Sequence, residues 1–209
     1  MSQTQEQYFD RLAYIYDSFL FRLYFQPLYN KIINLLTKEV IKHINYNFLD
    51  VGCGTGEVLY NLAKNNPQAY FYGVDISEKM LAKAQDKLKE FPNVKLIKGD
   101  IENIVFKNDR FDYILVSEAF HHLYNPEKII NKFYQLLNKD GKLIIVDPTI
   151  DTKFSKIILS LATKFEVLYK IYSNEELKNL LLQNNFVIEK NFKYFLNSFI
   201  VASVVAHNS

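Results

Sequence analysis

Residues 47 to 57 read NFLDVGCGTGE, a short apolar run that meets three glycines at alternate positions and then gives way to helix-forming residues. Strand, glycine loop, helix is the local order this predicts. Gly52, Gly54 and Gly56 would let the backbone approach a ligand closely and set it at the positive end of the following helix. The pattern alone is weak, because short glycine-rich stretches recur by chance. Its meaning comes from what surrounds it.

Downstream, the same form repeats. AYFYGVD (69–75), NVKLIKGD (93–100), FDYILVS (111–117) and GKLIIVD (141–147) are further short apolar runs without polar alternation. A helical segment runs to about Asn65, Ser77 stands as an N-cap before EKMLAKAQDKLKEF, and Asn125-Pro126, with Glu127 behind, opens a helix to about Asn138. Buried strands alternating with helices predict a parallel sheet covered on both faces, a doubly wound α/β fold. The last third changes rhythm. FSKIILSLATKFEVLYKIY (154–172) reads as one amphipathic helix, and the capping box Ser173-x-x-Glu176 starts another that ends near Asn184. FVIEKNFKYF and NSFIVASVVA, almost contiguous, should pair as an antiparallel hairpin closing one sheet edge. Upstream, residues 5–43 carry apolar residues at helical spacing interrupted by Pro27, which predicts two helices outside the main body.

Composition narrows the partners. A chain of 209 residues, about half apolar, is expected to make one globular domain, and 25 basic against 23 acidic residues give no electrostatic footprint for a polyanion. Cys53 is the single cysteine, so no intrachain disulfide can form and a reducing cytoplasm is the expected home. MSQTQEQ lacks the basic and apolar regions of a signal peptide. Residues 154–172 hold Lys156, Lys164, Glu166 and Lys170, too many charges for a membrane span.

Beside the glycine loop that ends the first strand, two further strand ends offer polar groups. Asp75 ends the second strand nineteen residues past Gly56, where a carboxylate can accept both hydroxyls of a ribose, and Asp100 ends the third. The plainer alternative makes both aspartates helix caps or turn residues. Thr55 is expected to cap the helix after the loop, and Cys53 to be a small buried residue rather than a nucleophile. SEAFHHL (117–123) sets His121 beside His122. Adjacent side chains on a helical turn diverge by about 100°, so the two imidazoles do not serve one proton. No metal site is expected either, since no third ligand stands nearby.

FLDVGCGTGE, GVDISEKML, KGDIE, FDYILVSEAFHHLYNPEKII and LNKDGKLIIVD, in this order, resemble the class I S-adenosylmethionine-dependent methyltransferases, in particular the small-molecule branch with quinone and lipid methyltransferases. The likeness covers most of residues 46–147. It implies a Rossmann-like seven-stranded sheet with helices on both faces and a C-terminal antiparallel hairpin. FDRLAYIYD (9–17) is similar to the segment that folds over the cofactor in the quinone branch. The resulting layout is an N-terminal helical lid (1–45), a cofactor-binding core (46–147), a helical insertion or lid (148–172), and a helix plus hairpin (173–209). NKDG replaces the branch's usual proline-glycine turn, and 151–172 matches nothing in the family pattern.

The resemblance implies S-adenosylmethionine as cofactor and a small-molecule acceptor. Gly52 and Gly54 would approach the methionine part, with Asp50 steadying the loop; Asp75 would hold the ribose. Asp100 would accept from the adenine amino group and the Ile101 backbone meet the ring, while Ile76 and Met80 line the adenine slot. Ser117 and Glu118 would border the methionine end. His121 is the candidate acceptor contact or base, and His122 would turn back to the scaffold. Tyr8, Arg11, Tyr14 and Tyr16, with Phe154, Leu159, Phe165 and Tyr169, could roof an acceptor site or simply pack a core; Tyr16 is the foremost cofactor-lid candidate.

Two rival functions remain. A nicotinamide-dependent reductase also uses a glycine loop followed by an acid, and Tyr60 to Lys64 and Tyr124 to Lys128 both fit Tyr-x-x-x-Lys. The first lies just after the glycine loop, the second contains Pro126, and the loop is Gly-x-Gly-x-Gly rather than Gly-x-Gly-x-x-Gly. A protein that binds the cofactor without turnover is the other. A nucleic-acid methyltransferase is not expected, as no Asn-Pro-Pro-Tyr motif or basic tract is present.

Overall fold

A computed structural model describes residues 3–16, 19–107, 109–162 and 169–204. The chain divides into two compact units, Met1–Ile104 and Val105–Ser209. The first contains α1 (Gln3–Tyr16), α2 (Phe19–Leu35) with a π-turn at Leu36–Val40, β1 (Asn47–Val51), α3 (Glu57–Asn65), β2 (Tyr70–Asp75), α4 (Glu78–Leu88) and β3 (Val94–Lys98). β1 pairs with β2 and β2 with β3, both in parallel, with Phe48 opposite Phe71 and Asp75 opposite Lys98. The apolar runs are buried: Phe48, Leu49, Leu59 and Phe71 are closed to solvent. Each such side chain is worth about 1.5–3 kcal/mol of transfer free energy. Gly73 permits the close packing of this layer, since a Cβ there would lie 2.7 Å from Leu59 Cδ1 and 2.9 Å from Cys53 Sγ.

The second unit contains β4 (Phe111–Ser117), a 3-10 turn at Phe120–His122, α5 (Pro126–Leu136), β5 (Leu137–Pro148), α6 (Lys153–Ala162), α7 (Asn174–Gln183), β6 (Phe186–Tyr194) and β7 (Asn197–Val204). β4 and β5 are parallel; β7 runs antiparallel to β5 and to β6. Across the seven strands the order is β3-β2-β1 in the first unit and β4-β5-β7-β6 in the second, whose terminal antiparallel hairpin is the one the resemblance implied. Ser77, Asn125 and Ser173 cap α4, α5 and α7 as expected, the last with a complete capping box.

Three local expectations are corrected. Pro27 lies inside α2 rather than between helices, in a helix anchored by the buried Leu28, Ile32 and Leu35. Thr55 is not the cap of α3: Gly56, in the left-handed region, occupies the N-cap position, and the Thr55 hydroxyl instead meets Lys87 Nζ at 3.5 Å. The amphipathic run at 154–172 does not make one helix. α6 ends at Ala162, residues 163–168 lie outside the described residues, and Tyr169–Tyr172 are non-helical.

Candidate functional site

The glycine loop is laced to the end of β2. Gly52, Gly54 and Gly56 have φ of +74°, +53° and +75°, a region that costs a side-chain-bearing residue strain. Gly52 and Cys53 N–H donate to the Val74 carbonyl at 2.8 and 3.1 Å, and Gly54 N–H donates to Asp75 Oδ2 at 2.8 Å. These amides are committed within the protein, so the loop offers a ligand bare, close backbone rather than those three donors.

Two carboxyls flank this loop, and burial dominates both. Asp75 accepts from Gly54 N–H on one oxygen and from Ser77 N–H on the other at 2.8 Å. Burial pushes its titration up to about 6 against the pull of those backbone bonds, and Asp10 pushes in the same direction. Each carboxylate oxygen can take more than one hydrogen bond, so Asp75 retains capacity for hydroxyl donors. Asp50 is 1% exposed, and its Oδ1 has no hydrogen-bond partner. Burial, then the neighbouring Asp75, raises it to about 8. A closed carboxyl with an unanswered oxygen beside a glycine loop is a place made for a positive group. Cys53 is buried, and desolvation with the two acids pushes its thiol well above its ordinary range. It is therefore no thiolate nucleophile.

The remaining residues read for the adenosine end divide by burial. Met80 and Ile101 are buried and Ile76 is half-buried. Asp100 holds a turn, its Oδ1 accepting from Glu102 N–H at 3.0 Å and its Oδ2 from Asn103 Nδ2 at 3.3 Å. α1 is fastened to the start of α4. Asp10 accepts from the Ser77 hydroxyl at 2.6 Å and from Lys79 N–H at 3.3 Å, while Lys79 Nζ lies 3.1 Å from the Tyr14 hydroxyl. An acid at a helix N-terminus complements its partial positive charge. Tyr16 ends α1, but its side chain, like those of Phe154 and Phe165, lies outside the described residues.

In the second unit the end of β4 and the turn after it are held by β5 and β7. Ser117 is buried, and Glu118 sits at φ +52° with its N–H donating to the Val146 carbonyl at 2.8 Å and its carboxylate taking Asn197 Nδ2. A non-glycine residue in that region carries about 1–3 kcal/mol of strain, which clusters at functional loops. His121 Nδ1 lies 3.0 and 3.1 Å from the two oxygens of Asp147, and Phe120 N–H donates to Asp147 Oδ1 at 3.1 Å. Both histidines are buried, with ring centroids 4.0 Å apart. The segment after residue 168 straps this turn. Tyr169 and Lys170 N–H both reach the His121 carbonyl, at 3.1 and 3.4 Å, and the Tyr172 ring meets Phe120 at 5.7 Å. Tyr169 also makes an edge contact with Tyr124 at 5.1 Å.

The first unit thus brings together Asp50, Gly52, Gly54 and Asp75, and the second His121 with Ser117 and Glu118. Asp10, Asp147 and Asn197 escaped the sequence reading. Asp147 carried a usable signal, an acid at the end of an apolar strand like Asp75; Asp10 and Asn197 carried none, because their partners stand 67 and 79 residues away. Among the described residues no three His, Cys, Asp or Glu side chains are grouped to hold a metal ion, and no helix is long and apolar enough to cross a membrane.

Comparisons with known proteins add the family. The methyltransferase-domain family model matches residues 42–196, running across both units. Malonyl-[acyl-carrier protein] O-methyltransferase of Halalkalibacterium halodurans is 30% identical over 147 residues, 68% of this chain and 54% of that protein. The chain therefore spans about half the length of that relative. The ubiquinone/menaquinone biosynthesis C-methyltransferase of Wigglesworthia glossinidia brevipalpis is 24% identical across 98% of this chain and 77% of its own length. In fold, the chain is similar to magnesium protoporphyrin IX methyltransferase of Synechocystis, solved with bound SAH, at a TM-score of 0.74 and 20% identity over 96% of this chain and 95% of that one.

Proposed function

We propose, on the premise that this chain belongs to the class I S-adenosylmethionine-dependent methyltransferases, that it transfers a methyl group to a small apolar or aromatic acceptor. The observation carrying this reading is the pair of buried carboxyls on the glycine loop: Asp75 laced to Gly54 and Ser77, and Asp50 with an unpartnered oxygen. Their chemistry fits the cofactor. Asp75 holds the ribose hydroxyls, and the closed Asp50 carboxyl answers the cationic methionine end that Gly52 and Gly54 let approach. Ile76, Met80 and Ile101 bound the adenine, and Asp100, while holding its turn, accepts from the adenine amino group. Ser117 and Glu118 border the methionine end. Tyr16 belongs to the lid.

Bound S-adenosylmethionine supplies a methyl group already activated by its sulfonium. What the chain adds is alignment of the acceptor behind the S–CH₃ bond, exclusion of water and removal of one proton. His121 takes that proton, and His122 packs against it as scaffold. The aromatic edge of Tyr124 and Tyr169 beside the histidine turn favours a planar or apolar acceptor. The relatives named as a malonyl-[acyl-carrier protein] O-methyltransferase and a ubiquinone/menaquinone biosynthesis C-methyltransferase bracket the choice between an oxygen and a carbon acceptor atom.

Calorimetry with S-adenosylmethionine and with NADPH tests the cofactor; heat with NADPH and none with the sulfonium compound would restore the reductase. Transfer of labelled methyl to a catechol, a 1,4-naphthoquinol and a malonyl thioester tests the acceptor and separates an enzyme from a protein that only binds. His121→Ala should spare cofactor affinity and slow transfer by about a hundredfold or more, as loss of a general base does. If His122→Ala slows transfer while His121→Ala does not, the two roles are exchanged.

A further inference from the structure

We infer that Asn197, the first residue of β7, is the positioning residue of Glu118: its side-chain amide grips the Glu118 carboxylate and so holds residue 118 in the left-handed conformation that shapes the loop at the methionine end of the cofactor. The inference rests on the methyltransferase reading, which puts Glu118 at that end, and deepens it. Its first support is a conflict between residue and backbone. Glu118 has φ +52°. Glycine adopts that region freely and asparagine or aspartate can bond locally there, but glutamate has neither advantage, so the conformation is strained. The other described non-glycine residues with positive φ are Asp140, near the start of β5, and Asn185 and Phe195, in connections between elements. Glu118 instead follows the carboxyl end of a parallel strand, where ligands of open α/β sheets bind.

Two neighbouring strands supply what the residue lacks. Glu118 N–H donates to the Val146 carbonyl of β5 at 2.8 Å, and Asn197 Nδ2 of β7 donates to the Glu118 carboxylate. A carboxylate only accepts, so the amide nitrogen of Asn197 and not its oxygen must face it. Asn197 is itself fixed. It is buried, pairs with Pro148 in the β5–β7 register, and stands between two bonded neighbours: the Leu196 carbonyl accepts from Thr149 N–H at 2.9 Å, and Ser198 Oγ meets Thr149 Oγ1 at 3.2 Å. Nothing in the strand's own needs calls for asparagine there, since the residue is depleted in strands and its buried amide must find a partner. The two side chains are 79 residues apart, so the grip exists only once the sheet has formed.

Released, residue 118 would fall back to the right-handed or extended region, a rotation of roughly 110° or more about its N–Cα bond. That re-aims the loop, because Ser117 stays in β4 while the turn at Phe120–His122 is carried round. The grip depends on the chemistry at position 197. Asparagine offers its donor at every pH, whereas aspartate, nearly the same shape, sets a second negative charge against Glu118 once ionised. Two such carboxyls share one proton at low pH and repel when it leaves. The other titratable groups on the elements packed around the two residues are His121 and His122 on the turn, Asp147 on β5, Asp151 beyond it, and Lys193 and Tyr194 on β6, where Lys193 Nζ pairs with Asp151 at 2.8 Å.

The test uses the full chain in two backgrounds. The S-adenosylmethionine affinity of Asn197→Asp, measured by calorimetry as a ratio to the unaltered protein, should stay within about threefold at pH 5 and fall about tenfold or more by pH 8, as loss of a hydrogen bond to a charged group does. In the Glu118→Gly background residue 118 takes positive φ unaided and has no carboxylate to repel, so adding Asn197→Asp should change affinity by less than about threefold at both pH values. A ratio that does not vary with pH, or an equal loss in both backgrounds, overturns the positioning role. So does unchanged affinity in Asn197→Asp together with a lower urea midpoint, which marks the bond as structural alone. No heat with S-adenosylmethionine in the unaltered protein would instead sink the cofactor reading, and the urea midpoints of the same four proteins at pH 5 and 8 then decide the grip. A drop in Asn197→Asp at pH 8 that vanishes in the Glu118→Gly background upholds it; no such drop overturns it.

Discussion

Replacing Asp50 by asparagine should make the protein more stable, and increasingly so as pH rises. Asp50 is raised from 3.8 to about 8, chiefly by burial. The sign follows from linkage. Between those two values the folded chain holds a proton that the unfolded chain has lost, so stability falls as pH climbs from about 4 towards 8 and is flat beyond. At pH 7 the gap to 3.8, at about 1.4 kcal/mol per unit, comes to roughly 4 kcal/mol of penalty that a neutral asparagine does not carry. At pH 5 the same reasoning leaves roughly 2 kcal/mol, and at pH 8 roughly 5. Urea unfolding of both proteins at pH 5, 6, 7, 8 and 9 reads the difference. Taking the difference cancels the titrating groups that do not sense Asp50, leaving the neighbouring Asp75 and Cys53 as the exceptions, and any constant cost of burying the amide shifts the whole curve without changing its slope. A rise of roughly 3–4 kcal/mol from pH 5 to 8, then a plateau, is expected. A flat or falling difference would refute the burial argument. The stabilised variant should bind S-adenosylmethionine more weakly, because the oxygen that is costly in the empty protein is the one offered to the ligand's cation.

Other perturbations reach different parts of the molecule. Asp75→Ala should lower S-adenosylmethionine affinity by about a hundredfold or more, from two hydrogen bonds to a charged group, as calorimetry would show; unchanged affinity refutes the ribose assignment. Because Asp75 is raised to about 6, affinity in the unaltered protein should also fall as pH drops through 6 and the carboxylate is lost. Asp10→Ala removes the acceptor of the Ser77 hydroxyl and Lys79 N–H, and should cost about 1 kcal/mol in urea unfolding. Ser173→Ala breaks both halves of the capping box on α7 and should cost about 1 kcal/mol by the same measurement.

The core was legible because its strands are apolar and free of polar alternation; β2 and β4 end where the residues said, whereas β3 stops at Lys98, short of Asp100, and β5 starts at Leu137, where the helix α5 was expected to continue to about Asn138. FDYILVS became β4 residue for residue, and Ser77, Asn125 and Ser173 cap as their chemistry dictates. What escaped depends on long-range contacts. The periodicity of 154–172 continues past Ala162 on paper, yet Tyr169 and Lys170 give their amides to the His121 carbonyl, bonds that helical backbone would have spent internally. Asp147 looked like the last residue of a strand until the turn at 120–122 folded its imidazole onto it. Thr55 looked like a cap because capping residues are short and polar, but the left-handed Gly56 moved that position one residue on.

The Cys53 thiol is wedged against Gly73, at 2.9 Å from where a Cβ would stand, and is held in its protonated form by burial and then by the neighbouring Asp75 and Asp50. It is also the chain's only sulfhydryl. Maleimide reagents attack exposed thiolates, so a second cysteine placed at a solvent-facing position such as Val105 or Tyr194 would react alone, with the native residue left in place. Fluorophores or spin labels can therefore be installed on α1, on the 169–172 strap or on the β6–β7 hairpin from single substitutions. Distances between labelled sites could then be followed during ligand titration in a background that never lost its packing against Gly73.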